Sequence, residues 1–478
     1  MLFNSFAYLI FLPVVFLLYW NICRSGRSKN ILLIAASYVF YGWWNVRLLW
    51  LIFLVSLVAY VGGLVVASKK VSTVGRRVML AFVIISNIAT LVAFKYYGFF
   101  ASSFVRVLSV FGFTPDIPTL DLILPVGISF YSFQAISYVI DVYRGKSPAT
   151  TDIWAFLVYI AFFPQLVAGP IERASNILPQ FLRDRRPFSY KRGVGGMQLI
   201  LWGLFKKMVV ADNAAEAVNV IFPQWESIGT INLWIGAILF SFQIYGDFSG
   251  YSDIAIGSSR LFGIDLMKNF NLPYFSRDIV EFWKRWHISL TSWFRDYLYI
   301  PLGGNRKGKS KAIRNTFIVF LVSGLWHGAN FTYILWGAYH ALLHIPVKFF
   351  RKKGKKDDDN AGRTPFYKDA FWMGITFFLV MVGWVIFRAD SSTHALSYIA
   401  YMFSHYNHAP SIVGKIPLLW CAVLVVIEWN ARFKDNPLAF SDKGIWKVSF
   451  VRWACYVAIF LICLFFAGSP QEFIYFRF

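Results

Sequence analysis

Apolar residues in this chain gather into long runs, with short basic segments between them. Leu2–Trp20, Leu48–Ala67, Met79–Phe94, Trp234–Phe248, Phe317–Ile334 and Phe371–Phe387 approach the about 20 residues that carry a helix across a bilayer. Their length predicts membrane helices, and the shorter runs predict tilted or re-entrant pieces. The pattern is that of an all-α polytopic membrane protein. Leu2–Trp20 has no basic leader and no small-residue cleavage site after it, so it reads as a retained first helix.

The segments between runs set an expected orientation. Arg24, Arg27 and Lys29 form one basic loop, and Lys69, Lys70, Arg76 and Arg77 form the next. Two apolar segments, 31–44 and 48–67, separate them, so both loops fall on one side, and their charge predicts the cytoplasm. The N-terminus and the tip Asn45–Arg47 are then expected outside. One stretch, 267–315, departs from the pattern by mixing charge with dense aromatics. At helical spacing Trp283, Trp286, Leu290, Trp293 and Phe294 make one stripe, which predicts a helix lying in the membrane interface. A basic loop follows at 305–314, and 351–363 reads as a disordered cytoplasmic connector. There is no internal repeat of the kind that builds many transporters.

Composition agrees. Hydrophobic residues make up 58% of the 478 residues and charged residues 15%, against roughly 25% charged in soluble proteins. The net charge of +23 comes from the inter-run loops, a positive-inside distribution near anionic lipid, so nucleic acid is not an expected partner. Cys23, Cys421, Cys455 and Cys463 form no CxxC pair and lie within or beside apolar runs, where they serve as small hydrophobes.

Candidate chemistry begins with SGLWHGANF, Ser323–Phe331. Between Arg314 and Lys348 there is no Asp, Glu, Lys or Arg, yet His327 sits there. Thirteen residues of helix from Arg314 rise about 20 Å, more than half of a hydrocarbon core of about 30 Å. An ionisable side chain at that depth is a functional candidate by default. The alternative is a neutral core histidine bonded to a carbonyl. Gly328 beside it lets backbone or substrate approach. His287, in RWHISL, reads by itself as an interfacial side chain. His340 and His344 share a helix face without an evident third ligand, so no metal is expected. His394, His405 and His408 carry no signal. DFSGYSD, Asp247–Asp253, is expected to supply turn and cap groups at a broken helix, with substrate polarisation the alternative. Pro and Gly in LPVGISFYSFQ (124–134) and FFPQLVAGPIER (162–173) predict kinked or re-entrant segments beside a cavity.

Those blocks, with NFNLPYFSRDIVEFWKRWHISLTSWFRDYLYIPLGG and GLWHGANFTYILWGAYH, carry a resemblance. The chain resembles the membrane-bound O-acyltransferase family, in the bacterial branch that includes the membrane subunit of alginate O-acetylation. The teichoic-acid D-alanylation subunit is a near relative. The likeness runs from MLFNSFAYLIFLPV to EFIYFRF. It implies about 11 membrane helices plus re-entrant and interfacial ones around a central tunnel. It also implies a single integral-membrane domain over 1–478, with N-terminal helices 1–115, a core 116–346 and C-terminal helices 347–478. The family's essential histidine falls at His327 and its second histidine at His287. Trp326, Gly328, Asn330, Ser323, Asp253 and Gln134 are then candidates to line the tunnel or the substrate.

The resemblance further implies acetyl transfer from a cytoplasmic thioester, acetyl-CoA or an acyl-carrier protein, for O-acetylation of an extracytoplasmic polysaccharide. No permanently bound cofactor is expected. Partners would be an extracytoplasmic acetyltransferase or carrier protein of the same pathway, a cytoplasmic acyl-carrier protein and membrane lipid, at the bacterial inner membrane. His327 would act as general base, and His287 would orient the thioester or assist proton transfer. The basic loops 305–314 and 348–356 suit CoA phosphates or an acidic carrier, and suit positive-inside charge equally. Rival readings are an exporter of polysaccharide or lipid, D-alanyl or other acyl transfer to a wall polymer, and a polyprenyl-dependent glycosyltransferase. An exporter favours duplicated halves, and the glycosyltransferase favours early outer acids. Neither feature is present in this sequence.

Overall fold

A computed structural model describes residues 1–113, 125–183, 187–350, 366–404, 413–440 and 444–474. Among these, every regular element is helical. The connector 351–363 and both His405 and His408 lie outside the described residues. Four helical stretches, Gly26–Ala67, Thr73–Val110, Tyr190–Ile221 and Phe366–Arg388, are long and apolar enough to cross a membrane, and three shorter apolar helices accompany them. The chain is an all-α, multi-pass membrane protein.

The described chain forms two compact units. The first comprises Met1–Ile200 with Ile254–Met267. Its helices begin where the sequence offers caps: Ser5 accepts from the Tyr8 amide, Ser25 and Ser28 form a reciprocal capping box, and Asp152 accepts from the Ala155 amide. Tyr8, Phe40 and Phe163 fill its interior, and the Tyr8 hydroxyl is 2.7 Å from Ser258 Oγ. The kinks expected from Pro and Gly occur here. Gly127 opens the helix Ile128–Tyr143 at φ +74°, and the helices Ile153–Ala161 and Phe163–Leu166 meet at a bend on Phe162.

The second unit comprises Leu201–Asp253 with Lys268–Phe478. A π-helical turn, Phe205–Ala211, carries Lys206 and Lys207 into the helix Asp212–Ile221. Such turns are rare and gather at functional sites. Asp247–Asp253 lies inside the continuous helix Thr230–Leu261, so the turn and cap role expected for it is corrected. Its acids instead meet the two lysines. The apolar run Phe317–Ile334 is likewise corrected from one crossing to a hairpin: helices Lys309–His327 and Phe331–Phe350 join through Gly328–Asn330.

The aromatic stretch differs most from expectation. Ile279–Arg285 and Ile288–Phe294 are separate seven-residue helices, broken at Trp286–His287. Trp283, Trp286, Leu290, Trp293 and Phe294 are each at most 8% exposed, so the stripe packs inside protein rather than lying against lipid. Trp286 sits 4.9 Å from Trp384 and 5.1 Å from Phe270, between ring centres. The amphipathic pattern was real, but its apolar face found aromatic protein partners.

Candidate active site

His327 ends the helix Lys309–His327, thirteen residues of unbroken helix beyond Arg314. Small residues let the two arms of its hairpin touch. A Cβ on Gly324 would lie 2.1 Å from the Tyr333 carbonyl oxygen, and one on Gly337 would lie 2.4 Å from that of Phe320. The imidazole is 5% exposed. Trp326, Trp336 and Phe387 stand edge-on to it, at ring spacings of 4.9, 5.1 and 5.2 Å. A Cβ on Gly328 would fall 2.2 Å from the Tyr333 ring, so that aromatic takes up the space the glycine leaves.

His287 is built by strain. Its backbone has φ +43° and ψ 55°, a left-handed conformation that costs a non-glycine residue on the order of 1–3 kcal/mol and persists only where surroundings enforce it. Two backbone hydrogen bonds to the chain at 269–271 do the enforcing: Asn271 donates to Arg285 O and Ile288 donates to Asn269 O, each at 2.9 Å. The ring, 1% exposed, places Nδ1 3.1 Å from Asn269 Oδ1 and stands edge-on to Phe248 at 4.6 Å. The interfacial, snorkelling histidine expected from its neighbours is therefore a buried, held one.

The structure brings these two histidines together. Trp326 stands 6.2 Å from the His287 ring and 4.9 Å from the His327 ring. Those spacings, within the range of aromatic pairs, bound the separation of the imidazoles at 11.1 Å. Two imidazoles about one indole are placed to accept, hold and return protons in a region walled by apolar rings.

The other expected residues divide. Ser323, 8% exposed, lies one turn before His327 on the same helix face. Asn330 serves the fold: its Nδ2 donates to Asp390 O at 3.1 Å, and its Oδ1 accepts from the Thr332 amide. Asp253 is ion-paired, with Lys206 Nζ at 2.7 Å. Gln134 is buried in the first unit, on the helix Ile128–Tyr143. His340 packs edge-on against Trp283 at 5.1 Å and Trp336 at 4.9 Å. Among the described residues no three His, Cys, Asp or Glu side chains converge as metal ligands would.

Sequence reasoning singled out Asp247 and Asp253 but not the lysines that gather them into a charged cluster. Lys207 Nζ lies 2.8 Å from Asp212 Oδ1 and 2.7 Å from Asp247 Oδ1, and donates to Gln471 O at 3.0 Å. Lys206 donates to Ser249 Oγ at 2.9 Å, and Tyr245 donates to Glu428 at 2.8 Å. The chain's late segment closes over this cluster. Asn213 donates to Phe466 O, the Gly468 amide to Met208 O, the Ser469 amide to Glu216, and the Ile474 amide to Asp247 Oδ2 at 2.7 Å. Phe473, 1% exposed, then packs tilted against Tyr251 at 5.0 Å and edge-on to Phe248 at 5.9 Å, the ring that faces His287. The signal was the Lys-Lys pair within the apolar stretch LWGLFKKMVV.

Known proteins carry the same arrangement of sequence. The model of the membrane-bound O-acyltransferase family matches residues 146–356, a span that includes both histidines. A protein of Pseudomonas putida named "Probable alginate O-acetylase AlgI" is 43% identical over 91% of this chain and 87% of its own length. The chain belongs to the membrane-bound O-acyltransferase family. It is an acyltransferase, and its resemblance extends to a Helicobacter pylori peptidoglycan O-acetyltransferase, 34% identical over 100% of this chain and 98% of that protein. A Bacillus subtilis teichoic acid D-alanyltransferase is 32% identical over 51% of this chain and 63% of that protein.

Proposed function

We propose that this family member moves an acetyl group from a cytoplasmic thioester, acetyl-CoA or an acyl-carrier protein, across the bacterial inner membrane for O-acetylation of an extracytoplasmic polysaccharide. The observation that carries the reading is the pair of buried histidines, His327 and His287, on one indole. Acetyl is favoured over D-alanyl because the acetyl-transferring relatives align with nine-tenths or more of the chain and the D-alanyl relative with about half.

In the step itself, the acceptor hydroxyl gives its proton to His327 as its oxygen bonds the thioester carbonyl carbon. The C–S bond then breaks, and the proton passes to the leaving thiolate sulfur, so the reaction is balanced without net proton uptake. General-base help of this kind is worth about 10²–10⁴-fold. The aromatic wall of Trp326, Trp336 and Phe387 keeps water from competing for the thioester. His287 takes the supporting role. The acceptor is a carrier or a side chain of an extracytoplasmic partner protein, which passes the acetyl group to the polymer.

The test is His327→Ala, with acetylation of the extracellular polymer measured in cells where the protein still accumulates. Loss of acetyl is expected, and normal acetylation overturns the assignment. His327→Gln, which keeps bulk and a polar end, separates chemistry from packing. Purified protein should move label from acetyl-CoA or acyl-carrier protein; substrate movement without acyl chemistry would instead mark an exporter.

A further inference from the structure

Asn269 has so far entered through its backbone, as an anchor of the strained turn, yet its side chain is in direct polar contact with His287. It is 0% exposed, and its amide oxygen meets three polar groups. Its Oδ1 lies 3.1 Å from His287 Nδ1, 3.3 Å from the Ser289 amide nitrogen and 2.9 Å from Ser289 Oγ. On the other side its Nδ2 donates to Ser252 Oγ at 3.3 Å.

The orientation of an amide is normally a choice between two nearly identical shapes. Here the Ser289 backbone decides it. A main-chain N–H can only donate, so the atom facing it must be the oxygen. An amide oxygen can only accept. Nδ1 of His287, facing that same oxygen, therefore carries the hydrogen, because a lone pair there would confront the lone pairs of Oδ1. The basic lone pair is left on Nε2.

From this we infer that Asn269 is the positioning residue for His287: it fixes the Nδ1–H tautomer and so makes Nε2 the nitrogen that this ring offers to substrate in its supporting role. The inference rests on the acyl-transfer reading above. It also gives the block DFSGYSD a catalytic connection, since Ser252 holds the far end of the same amide. The strained backbone at His287 has the same anchor, because Ile288 N donates to Asn269 O. One asparagine thus sets the ring's location through its backbone and the ring's protonation site through its side chain.

The experiment uses the full-length protein in detergent or nanodiscs, labelled with ¹⁵N-histidine. His287→Gln identifies the resonances that belong to this ring. The parent protein is expected to show a protonated Nδ1 and an unprotonated Nε2. Asn269→Leu, with similar bulk and no acceptor, should lose that single-tautomer signature. It should also lower kcat for acetyl transfer about 10–100-fold, the range seen when a metal-bound histidine loses its outer partner, with KM little changed. Asn269→Asp retains the acceptor, so it should keep the Nδ1–H signature and recover most of the lost kcat. An Nε2–H signature in the parent protein overturns the inference. So does an Asp variant no better than the Leu variant when both accumulate normally. If Asn269→Leu does not accumulate, the parent spectrum and the Asp variant still decide. Failure of the acyl-transfer reading is separate: it shows as no label moved from acetyl-CoA or acyl-carrier protein by the purified parent protein, whereas the tautomer is read with no substrate present.

Discussion

Lys207→Met keeps the length of the side chain and removes its charge, and the surrounding geometry sets the cost. Lys207 is 6% exposed, Asp212 1% and Asp247 3%. Nζ lies 2.7 Å from one carboxylate oxygen and 2.8 Å from the other, which bounds the separation of those oxygens at 5.5 Å. With the ammonium gone, two buried like charges face each other across that gap. At an effective dielectric of about 20, Coulomb's law gives a repulsion of about 3 kcal/mol. The Gln471 carbonyl also loses its donor. Removing one member of a buried ion pair costs about 3–5 kcal/mol in other proteins, the same range. Since folded domains are stable by only about 5–15 kcal/mol, a large share of the margin goes. The assay is thermal unfolding in detergent, followed by tryptophan fluorescence, with the yield of monodisperse protein alongside. Lys207→Met with Asp247→Asn should regain part of the deficit, because a single carboxylate remains. A Lys207→Met protein within about 0.5 kcal/mol of the parent, the usual span of exposed substitutions, would refute the reasoning.

Further outcomes are expected from packing and chemistry. Gly324→Ala places a methyl 2.1 Å from the Tyr333 carbonyl oxygen, so the hairpin must open; a loss of about 1–3 kcal/mol is expected, read as a lower unfolding temperature together with reduced acetyl transfer. Phe473→Ala empties a buried site beside Phe248 and should cost about 3–5 kcal/mol, with the His287 ¹⁵N resonances shifted when the variant is labelled. His327→Gln should retain near-parental stability and lose about 10²–10⁴-fold in kcat/KM, measured with labelled thioester. A reporter active only in the cytoplasm should be silent when fused ahead of Met1 and active in the loop at 69–77, the placement the charged loops favour.

Much of this protein is legible in its sequence alone. Leu48–Ala67, Met79–Phe94 and Phe371–Phe387 are plain from apolar runs, because a crossing needs about 20 apolar residues, whereas the membrane-length stretch Tyr190–Ile221 is masked by its Lys206–Lys207 pair. His327 stands out because no other strongly charged group lies near it in the sequence, and the helix from Arg314 that its depth estimate requires is continuous. Less legible are features set by contacts distant along the chain. Trp283 and Trp286 read as interfacial because a stripe records only that one face is apolar, not whether lipid or protein will cover it. Asp247 and Asp253 read as turn residues because their lysine partners lie far earlier in the chain, at Lys207 and Lys206. Asn269 is hidden among its neighbours, since a side chain whose role is to hold another carries no compositional mark. The hairpin at Gly328–Asn330 interrupts an apolar run without a proline or a charge to announce it.

The segment from Phe466 to Ile474 has a bearing on how the molecule comes into being. A ribosome delivers these residues after every helix they fasten, so until they emerge Asp247 lacks its Ile474 partner and Phe248 its aromatic neighbour. A nascent chain in the translocon therefore carries an unfinished charge cluster beside Phe248 until translation has passed this segment. A stop codon shortly before Phe466 is therefore expected to lower accumulation of the protein, since the contacts of this segment to Asp247 and Phe248 would never form.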